Sequence, residues 1–294
     1  MHSFSSRSAA ILLAAALLGA ACALAPAVVE AQPAGAAKVS VTRELVEEKL
    51  ALVATAADPA AQARALAEVV KLGKPAVPHL LAMLDEVALG WDLRASVVWV
   101  LGEVGDKGAV GKLSGVWAGA GEAPGTFRMQ VAIALGALGH RQELRSFLAE
   151  GVDLILVAKA ATGLADLGDT ESIPAMVPFL THEDIGVFIA MALGRLGDAR
   201  GHDQLKEAVR EPLLRDHAAI ALGLSGDTTV LYQVRFALDN PDPFVRRDAV
   251  VVLGRLKDFE SLSRVEALAD HDPDKRVRDV AVVAVRRIER RRRR

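Results

Sequence analysis

The chain repeats one pattern of apolar positions six times, and the C-terminal segment from Val277 repeats it once more. The copies place apolar residues at i, i+4, i+7, i+8 and i+11, a spacing that lines one face of an α-helix, except that the copy from Leu214 has Ser225 at the last position. The sixth copy, for example, has Val245, Ala249, Val252, Leu253 and Leu256. Helix stops follow the copies 34, 29, 29, 29 and 31 residues apart, at Gly105, Gly139, Gly168, Gly197, Gly226 and Lys257. A repeat of this length predicts stacked helical hairpins and not a single globular core.

The residues at and after the helix stops are typical of turns. Five of the six are glycine, which suits the left-handed position after a helix because it has no Cβ to clash there. An aspartate follows almost every stop and is able to cap the next helix: Asp106, Asp169, Asp198, Asp227 and Asp258. Proline, which cannot continue a helix, separates successive hairpins, as in Asn240-Pro241-Asp242-Pro243. The pattern predicts an all-α, right-handed solenoid of about seven hairpins over residues 42–294, ending on one extra helix.

The repeats resemble a known family. Residues Asp242 to Ala249 read Asp-Pro-Phe-Val-Arg-Arg-Asp-Ala, and Leu253-Gly254-Arg255-Leu256 follows. These segments and their counterparts are similar to HEAT-like repeats, in particular the short repeats first named from phycobilisome bilin lyases. The resemblance covers about residues 58–294. It implies the fold but says little about function, since the family includes scaffolds, lyase subunits and a few enzymes.

The resemblance also implies a ladder of arginines that bridge neighbouring repeats through acidic partners. Five copies have arginine at the ladder position, and two copies have Val157 and Gly186 there instead. The arginines are Arg94, Arg128, Arg215, Arg246 and Arg278. For Arg215 and Arg246 we expect acidic neighbours such as Asp216 or Asp248 as partners.

Charge is unevenly distributed along the chain. The formal net charge is only −2, so the chain as a whole is not expected to bind nucleic acid. Residues 275–294, however, contain ten Lys or Arg against two acidic residues, a local net charge of +8. The last five residues are all arginine, which suits an anionic envelope surface: Arg290, Arg291, Arg292, Arg293 and Arg294.

The N-terminus predicts export. Arg7 precedes an apolar run from Ala9 to Ala25, which is typical of a secretory signal at residues 1–31, with a flexible leader at 32–41. Two processing routes fit these residues. Cleavage before Gln32 would give a soluble periplasmic or extracellular protein. Lipidation of Cys22, which follows a lipoprotein-like Leu18-Gly19-Ala20-Ala21, would anchor the protein at the envelope.

Motifs for catalysis or metal binding are incomplete. His182-Glu183 resembles one of the His-Glu pairs with which HEAT-type deoxyhypusine hydroxylases hold iron, but that family needs several pairs and this chain has one. Gly111-Lys112 lacks the hydroxyl residue and the first glycine of a phosphate-binding loop. The sequence therefore predicts no catalytic, cofactor-binding or metal-binding residue, and no enzyme activity.

The expected function is an exported scaffold or adaptor that binds a protein partner. In HEAT-like arrays the second helix of each hairpin lines the concave face, so its polar and aromatic residues would form the binding strip. Tyr232 and Arg235 are the expected anchors, because these residue types dominate interface hot spots. Further members of the strip are Lys112, Arg145, His202, Gln204 and Arg264. This moderately basic set would suit an acidic protein segment. Two alternatives are a lyase-like, cofactor-handling protein and a structural protein held at the envelope by its basic tail.

Overall fold

The computed structural model describes residues 40–86, 89–119, 123–149 and 151–290, except for the side chains of residues 59 and 60. The expected signal, Cys22, nearly all of the leader and Arg291–Arg294 lie outside these residues. The described residues fall into two compact units, which divide between Val152 and Asp153.

Both units consist of α-helices joined by turns, and no β-strand occurs among the described residues. The N-terminal unit contains α1 (Arg43–Ala54), α2 (Pro59–Val70), α3 (Val77–Met83), α4 (Trp91–Val104), α5 (Val110–Gly119), α6 (Gly125–Ala137) and α7 (Gln142–Arg145). The C-terminal unit contains α8 (Leu154–Asp166), α9 (Ile173–Met176), α10 (Gly186–Arg195), α11 (His202–Ala208), α12 (Arg215–Leu224), α13 (Leu231–Phe236), α14 (Pro243–Leu256), α15 (Leu262–His271) and α16 (Lys275–Glu289). The expected all-α solenoid of hairpins is confirmed.

The helix stops form as expected. The glycines at 105, 139, 168, 197 and 226 all have positive φ, between 64° and 100°, and Lys257 takes the same left-handed conformation with φ 55°. At five of the six stops, the N–H of the residue after the stop donates back to a leucine carbonyl at the start of the last turn, as from Asp198 to Leu193 over 2.9 Å. This bond closes a Schellman motif, which satisfies a carbonyl that the helix end leaves free.

The aspartates after the stops have two roles. Asp106, Asp198 and Asp227 each accept a bond from the N–H two residues further on, at 2.9 to 3.0 Å, so they close the turn into the second helix. Asp258 makes no such capping bond and instead accepts two bonds from the Arg235 guanidinium. The capping expectation is thus wrong for Asp258, because an ion pair to the preceding repeat occupies its carboxylate.

The helices of the C-terminal unit form two rows. The first helices of its hairpins, α8, α10, α12 and α14, and the terminal α16 pack against one another in chain order. The second helices α9, α11, α13 and α15 pack against first helices, and no pair of them makes a comparably extensive contact within the described residues. The close contacts of this unit therefore run along the first helices.

Glycine permits the close approach of first helices. A Cβ added to Gly194 would lie 2.8 Å from the carbonyl oxygen of Ala221, and a Cβ added to Gly254 would lie 2.7 Å from the Cβ of Ala284. Gly223 has the same place in α12, three residues before its stop, and faces Val252 of α14. Because these neighbours are backbone or short side chains, they cannot move aside as a long side chain would.

We expect Gly194→Ala to destabilise the protein by about 1–3 kcal/mol, because the added methyl group overpacks the contact with α12. Gly115→Ala is the matched control. Gly115 lies within α5, and an added Cβ there would meet nothing within 4 Å. This control should stabilise the protein by about 0.5–1 kcal/mol through helix propensity. Urea denaturation of both variants measures the difference, and equal midpoints would contradict the role of Gly194.

Candidate functional site

The first-helix side of the C-terminal unit is filled by side chains. Helix α10 buries every residue from Phe188 to Gly194, and α12 buries every residue from Ala218 to Gly223. The buried set includes Phe188, Met191 and Ile220, which lie away from the repeated apolar stripe. A helix that is buried on all sides presents no open surface. The middle of the first-helix row is therefore packed interior.

A charged cluster lies in this interior. The guanidinium of Arg195 on α10 donates to Asp166 on α8 over 2.5 Å and to Asp248 on α14 over 2.6 Å. Arg247 binds the second oxygen of Asp248 at 2.7 Å. The side chains of Arg195, Asp166 and Asp248 are only 21%, 14% and 13% exposed. The cluster therefore joins two carboxylates to two guanidinium groups in a site with little access to water.

Burial and pairing set the ionisation of this cluster. Burial has the largest effect on Asp166 and raises its pKa, although Arg195 opposes it. Burial acts the same way on Asp248, but Arg195 and Arg247 outweigh it and lower the pKa. Burial and the nearby Arg195 lower the pKa of His217 on α12, which keeps this histidine neutral. The cluster thus contains two carboxylates paired with two guanidinium groups beside a neutral imidazole. These ion pairs connect neighbouring repeats.

The cluster also shows which row of helices lies inside. Arg195 reaches one repeat back to α8 and two repeats forward to α14. In a curved row of hairpins, helices two repeats apart come close enough for side chains to meet on the inner side of the curve. The first helices therefore lie on the inner side. The expectation that second helices line the concave face is therefore wrong for this unit, because glycine lets the first helices approach closely and close the inner side.

The expected arginine ladder is seen at Arg246, but with another partner than expected, whereas Arg94 and Arg278 donate to backbone carbonyls instead. Arg246 donates to both oxygens of Asp272, at 2.8 and 2.9 Å, and not to Asp248. It also donates to the carbonyl of Asn240, so it connects the linkers on either side of its hairpin. The side chains of Arg246 and Asp272 are 12% and 1% exposed. Arg215, by contrast, pairs only with the adjacent Asp216 over 3.2 Å and links no repeats.

Most residues of the expected binding strip bridge neighbouring repeats. Lys112 pairs with Asp85, and Arg264 pairs with Asp239 over 2.7 Å. His202 shares a 2.7 Å hydrogen bond with Ser225, and Gln204 is half-buried. Arg145 is also half-buried and lies in the N-terminal unit. The basic members that could attract an acidic segment are thus engaged within the chain.

Arg235 is the clearest of these bridges. Its guanidinium donates to both oxygens of Asp258, at 2.8 and 2.5 Å, and also binds Glu260. The Arg235 side chain is 22% exposed, against 5% for Asp258. Because Arg235 holds α13 against the turn after α14, its main role is to stabilise the array. The structure does not support it as a free anchor for a partner.

Tyr232 remains available on the same helix. It is 65% exposed and stacks edge-on against Phe236, with 4.8 Å between ring centroids; Phe236 is itself 52% exposed. Phe259, 49% exposed, lies in sequence between Asp258 and Glu260, the two acidic residues that Arg235 binds. We call Tyr232 and Phe236 the aromatic patch. Phe236 and Phe259 were not expected from sequence, because their apolar character fits a buried position equally well.

The second-helix side of the C-terminal unit is acidic. Three of its four turn-and-helix segments, residues 198–211, 227–240 and 258–271, together contain five Lys or Arg and ten Asp or Glu, a net charge of −5. Glu260 and Asp239 are among the most exposed, with side chains 76% and 77% accessible. The aromatic patch therefore has an acidic surrounding, which favours a basic partner and not the acidic one expected from the strip.

Other types of site are not seen in the part of the chain that the structure describes. No three His, Cys, Asp or Glu side chains gather there in a group that could hold a metal ion. His182 is exposed and accepts a bond from the N–H of Asp184 over 3.3 Å, within its own turn. No described helix combines the length and the apolar character needed to cross a membrane.

Comparison with known proteins supports the repeat architecture. A family model described as HEAT repeats matches residues 205–286. No match to the chain was found among curated proteins. Human deoxyhypusine hydroxylase in complex with glycerol is 19% identical, with a TM-score of 0.34, over 84% of this chain and 97% of that one. The complex of CpcE and CpcF of phycocyanin lyase from Nostoc sp. PCC7120 is also 19% identical, with a TM-score of 0.38, over 88% and 99%.

We expect Arg246→Ala to destabilise the protein by about 3 kcal/mol, since it leaves the buried carboxylate of Asp272 without its partner. Arg215→Ala is the matched control. It removes an arginine from the equivalent position, but one that is half-exposed and pairs only with its neighbour, so the loss should be below about 1 kcal/mol. Chemical denaturation at neutral pH measures the loss in free energy of unfolding for both variants, and equal losses would contradict the linking role of Arg246.

Proposed function

Because this chain is a HEAT-like repeat protein, we propose that it acts as an exported, non-catalytic scaffold that holds a protein partner on the second-helix side of its C-terminal unit. HEAT repeats generally mediate protein interactions. The observation that carries the proposal is the aromatic patch, in which Tyr232 and Phe236 lie exposed on a helix that Arg235 fixes in place. Aromatic side chains on a rigid support are typical interface anchors.

The packed interior also favours a surface function. A small-molecule site needs a concave pocket with converging polar groups. Where such a groove was expected, the inner side is filled by Phe188, Met191 and Ile220. The polar groups there, Arg195 and its two carboxylates, are already paired with one another. In the C-terminal unit, the exposed large aromatic side chains among the described residues, Tyr232, Phe236 and Phe259, belong to second-helix segments.

Photo-crosslinking tests the proposed surface. A benzoylphenylalanine at position 232 should form one dominant adduct in the native envelope, because Tyr232 would lie at the centre of the interface. The same group at Leu52 is the control, since Leu52 is 56% exposed but lies in the N-terminal unit. Adding Phe236→Ala should greatly reduce the yield from position 232. Equal labelling from positions 232 and 52 would refute the surface.

A captured partner allows a quantitative check. The double variant Tyr232→Ala, Phe236→Ala should weaken binding by at least about 2 kcal/mol, because both exposed anchors are removed. Both side chains are at least half exposed, so the helical content and the denaturation midpoint should stay close to those of the parent protein. Unchanged affinity in a folded variant would place the interface elsewhere.

Export rests on the N-terminal sequence, and the mature mass tests it. Cleavage before Gln32 should give a free N-terminus at that residue, whereas lipidation should leave a diacylated Cys22. Cys22→Ser should change the mature mass and the release from membranes only if the protein is lipidated. Intact mass spectrometry of the protein from its native source distinguishes the two routes, and an intact residue 1 would contradict export.

Attachment to an anionic envelope surface is the second candidate function. It is favoured by the exposed Arg286, Arg287 and Arg290 at the end of α16, which have no ion-pair partner among the described residues. Arg291–Arg294 extend this charge in the sequence. In that case the basic end would hold the scaffold at the envelope while the aromatic patch faced its partner.

A further inference from the structure

The C-terminal end of the chain offers a dense basic surface. Arg286, Arg287 and Arg290 are exposed on the last turns of α16, and four more arginines follow in sequence. The earlier basic residues of this helix are occupied: Lys275 pairs with Asp279, and Arg276 pairs with Asp274. The charge available for an external partner is therefore concentrated in residues 286–294, which we call the arginine tail.

The geometry of α16 favours a protein target for this tail. A helix that lies in a membrane interface inserts its apolar face among the lipids. In α16 that face, with Val277, Ala281, Ala284 and Ile288, is buried against the array. Only Val282 and Val283 are exposed apolar residues, 40% and 44% accessible. The helix therefore offers charge but little apolar area to a lipid surface.

The aromatic patch has the complementary chemistry. Exposed aromatic faces attract guanidinium groups, and the chain already uses this contact: Arg276 lies 4.3 Å from the ring centroid of Phe244. Glu260 and Asp239, both about three-quarters exposed, supply carboxylates beside the patch, and each pairs within the chain through one of its oxygens, with Arg235 and Arg264 respectively. Arginine binds carboxylates with paired hydrogen bonds and also stacks on rings, so one arginine-rich segment can satisfy both features.

We propose that the arginine tail of one copy binds the aromatic patch of a second copy. This inference rests on the proposed role of the patch as a binding surface and names its partner. The two surfaces carry opposite charge, −5 on the second-helix segments and +8 on residues 275–294. Because the tail and the patch are different surfaces, the contact is head-to-tail, and further copies can add to either end.

Sedimentation velocity of the mature protein tests this assembly. We expect oligomers that grow with concentration and dissociate as ionic strength rises from about 0.01 to 1 M, where the Debye length falls from about 30 Å to about 3 Å. Changing Arg291–Arg294 to Gln should weaken association at least about tenfold. Changing them to Lys should restore only part of it, because lysine keeps the charge but not the paired hydrogen bonds or the ring stacking of the guanidinium. Tyr232→Ala, Phe236→Ala should also weaken association at least about tenfold.

Mixing the two defective variants gives the sharpest result. The tail variant keeps an intact patch and the patch variant keeps an intact tail, so the mixture should form one-to-one complexes although each variant alone is monomeric. No larger species should appear, since each complex has one working contact. A tail that bound its own patch would give no concentration dependence and no rescue on mixing. Leu52→Ala, a change of exposed apolar surface in the N-terminal unit, should assemble like the parent protein.

Three results would overturn the inference. The first is a parent protein that stays monomeric at low ionic strength, and the second is a failure of the mixed variants to associate. The third is a tail that binds vesicles of anionic lipid while the protein remains monomeric, which would assign the tail to the envelope. The crosslink from position 232 separates this inference from the proposed function. An adduct with a different protein would uphold the scaffold but overturn the self-association, whereas no adduct would overturn both.

Discussion

The close contact between successive first helices is the constraint on which the C-terminal unit depends. Gly194, Gly223 and Gly254 occupy the same position in three neighbouring helices, and each lies where a side chain would strike the next helix. This contact brings the first helices together in one row, while the second helices remain apart. Because the first helices lie closer together than the second helices, the row of hairpins curves with the first helices on its inner side. This curvature determines which residues face inward.

A row that closes on its inner side must pair the charges it encloses. Arg195 pairs with carboxylates from two other hairpins, and Arg247 supplies the second positive charge. A buried ion pair of this kind adds little net stability compared with an apolar core, but removing one partner is costly. The cluster thus makes the relative position of several hairpins specific, since slippage would leave a charge unpaired.

The closed inner side also determines where this protein can act. The second helices carry bridges such as Arg235 to Asp258 along their flanks, which hold their exposed surfaces in a defined position. Tyr232 and Phe236 protrude from this fixed surface, and the surrounding acidic residues give the surface a negative charge. Binding to a preorganised surface loses less conformational entropy than binding that must first order a loop. The proposed scaffold role therefore agrees with the energetics of the fold.

The sequence by itself determined the helices, their ends and their order. These features are local: a stripe such as Val245 to Leu256 fits one helical period, and a left-handed stop such as Gly197 needs only its own backbone conformation. The resemblance to HEAT-like repeats also implied that Arg246 bridges repeats.

Only the tertiary structure decided which row of helices faces inward and which acidic residue each arginine meets. Asp248 pairs with Arg195, which is 53 positions away, and Arg246 pairs with Asp272. Such partners depend on the rotation between hairpins, which is the sum of many small packing contacts and has no signature in one repeat. The glycine three residues before five of the six stops was the available signal, but its meaning required knowledge of the neighbouring helix. Exposure of Phe236 was likewise undecided, because an apolar residue on a short second helix fits either the core or an interface until the packing is known.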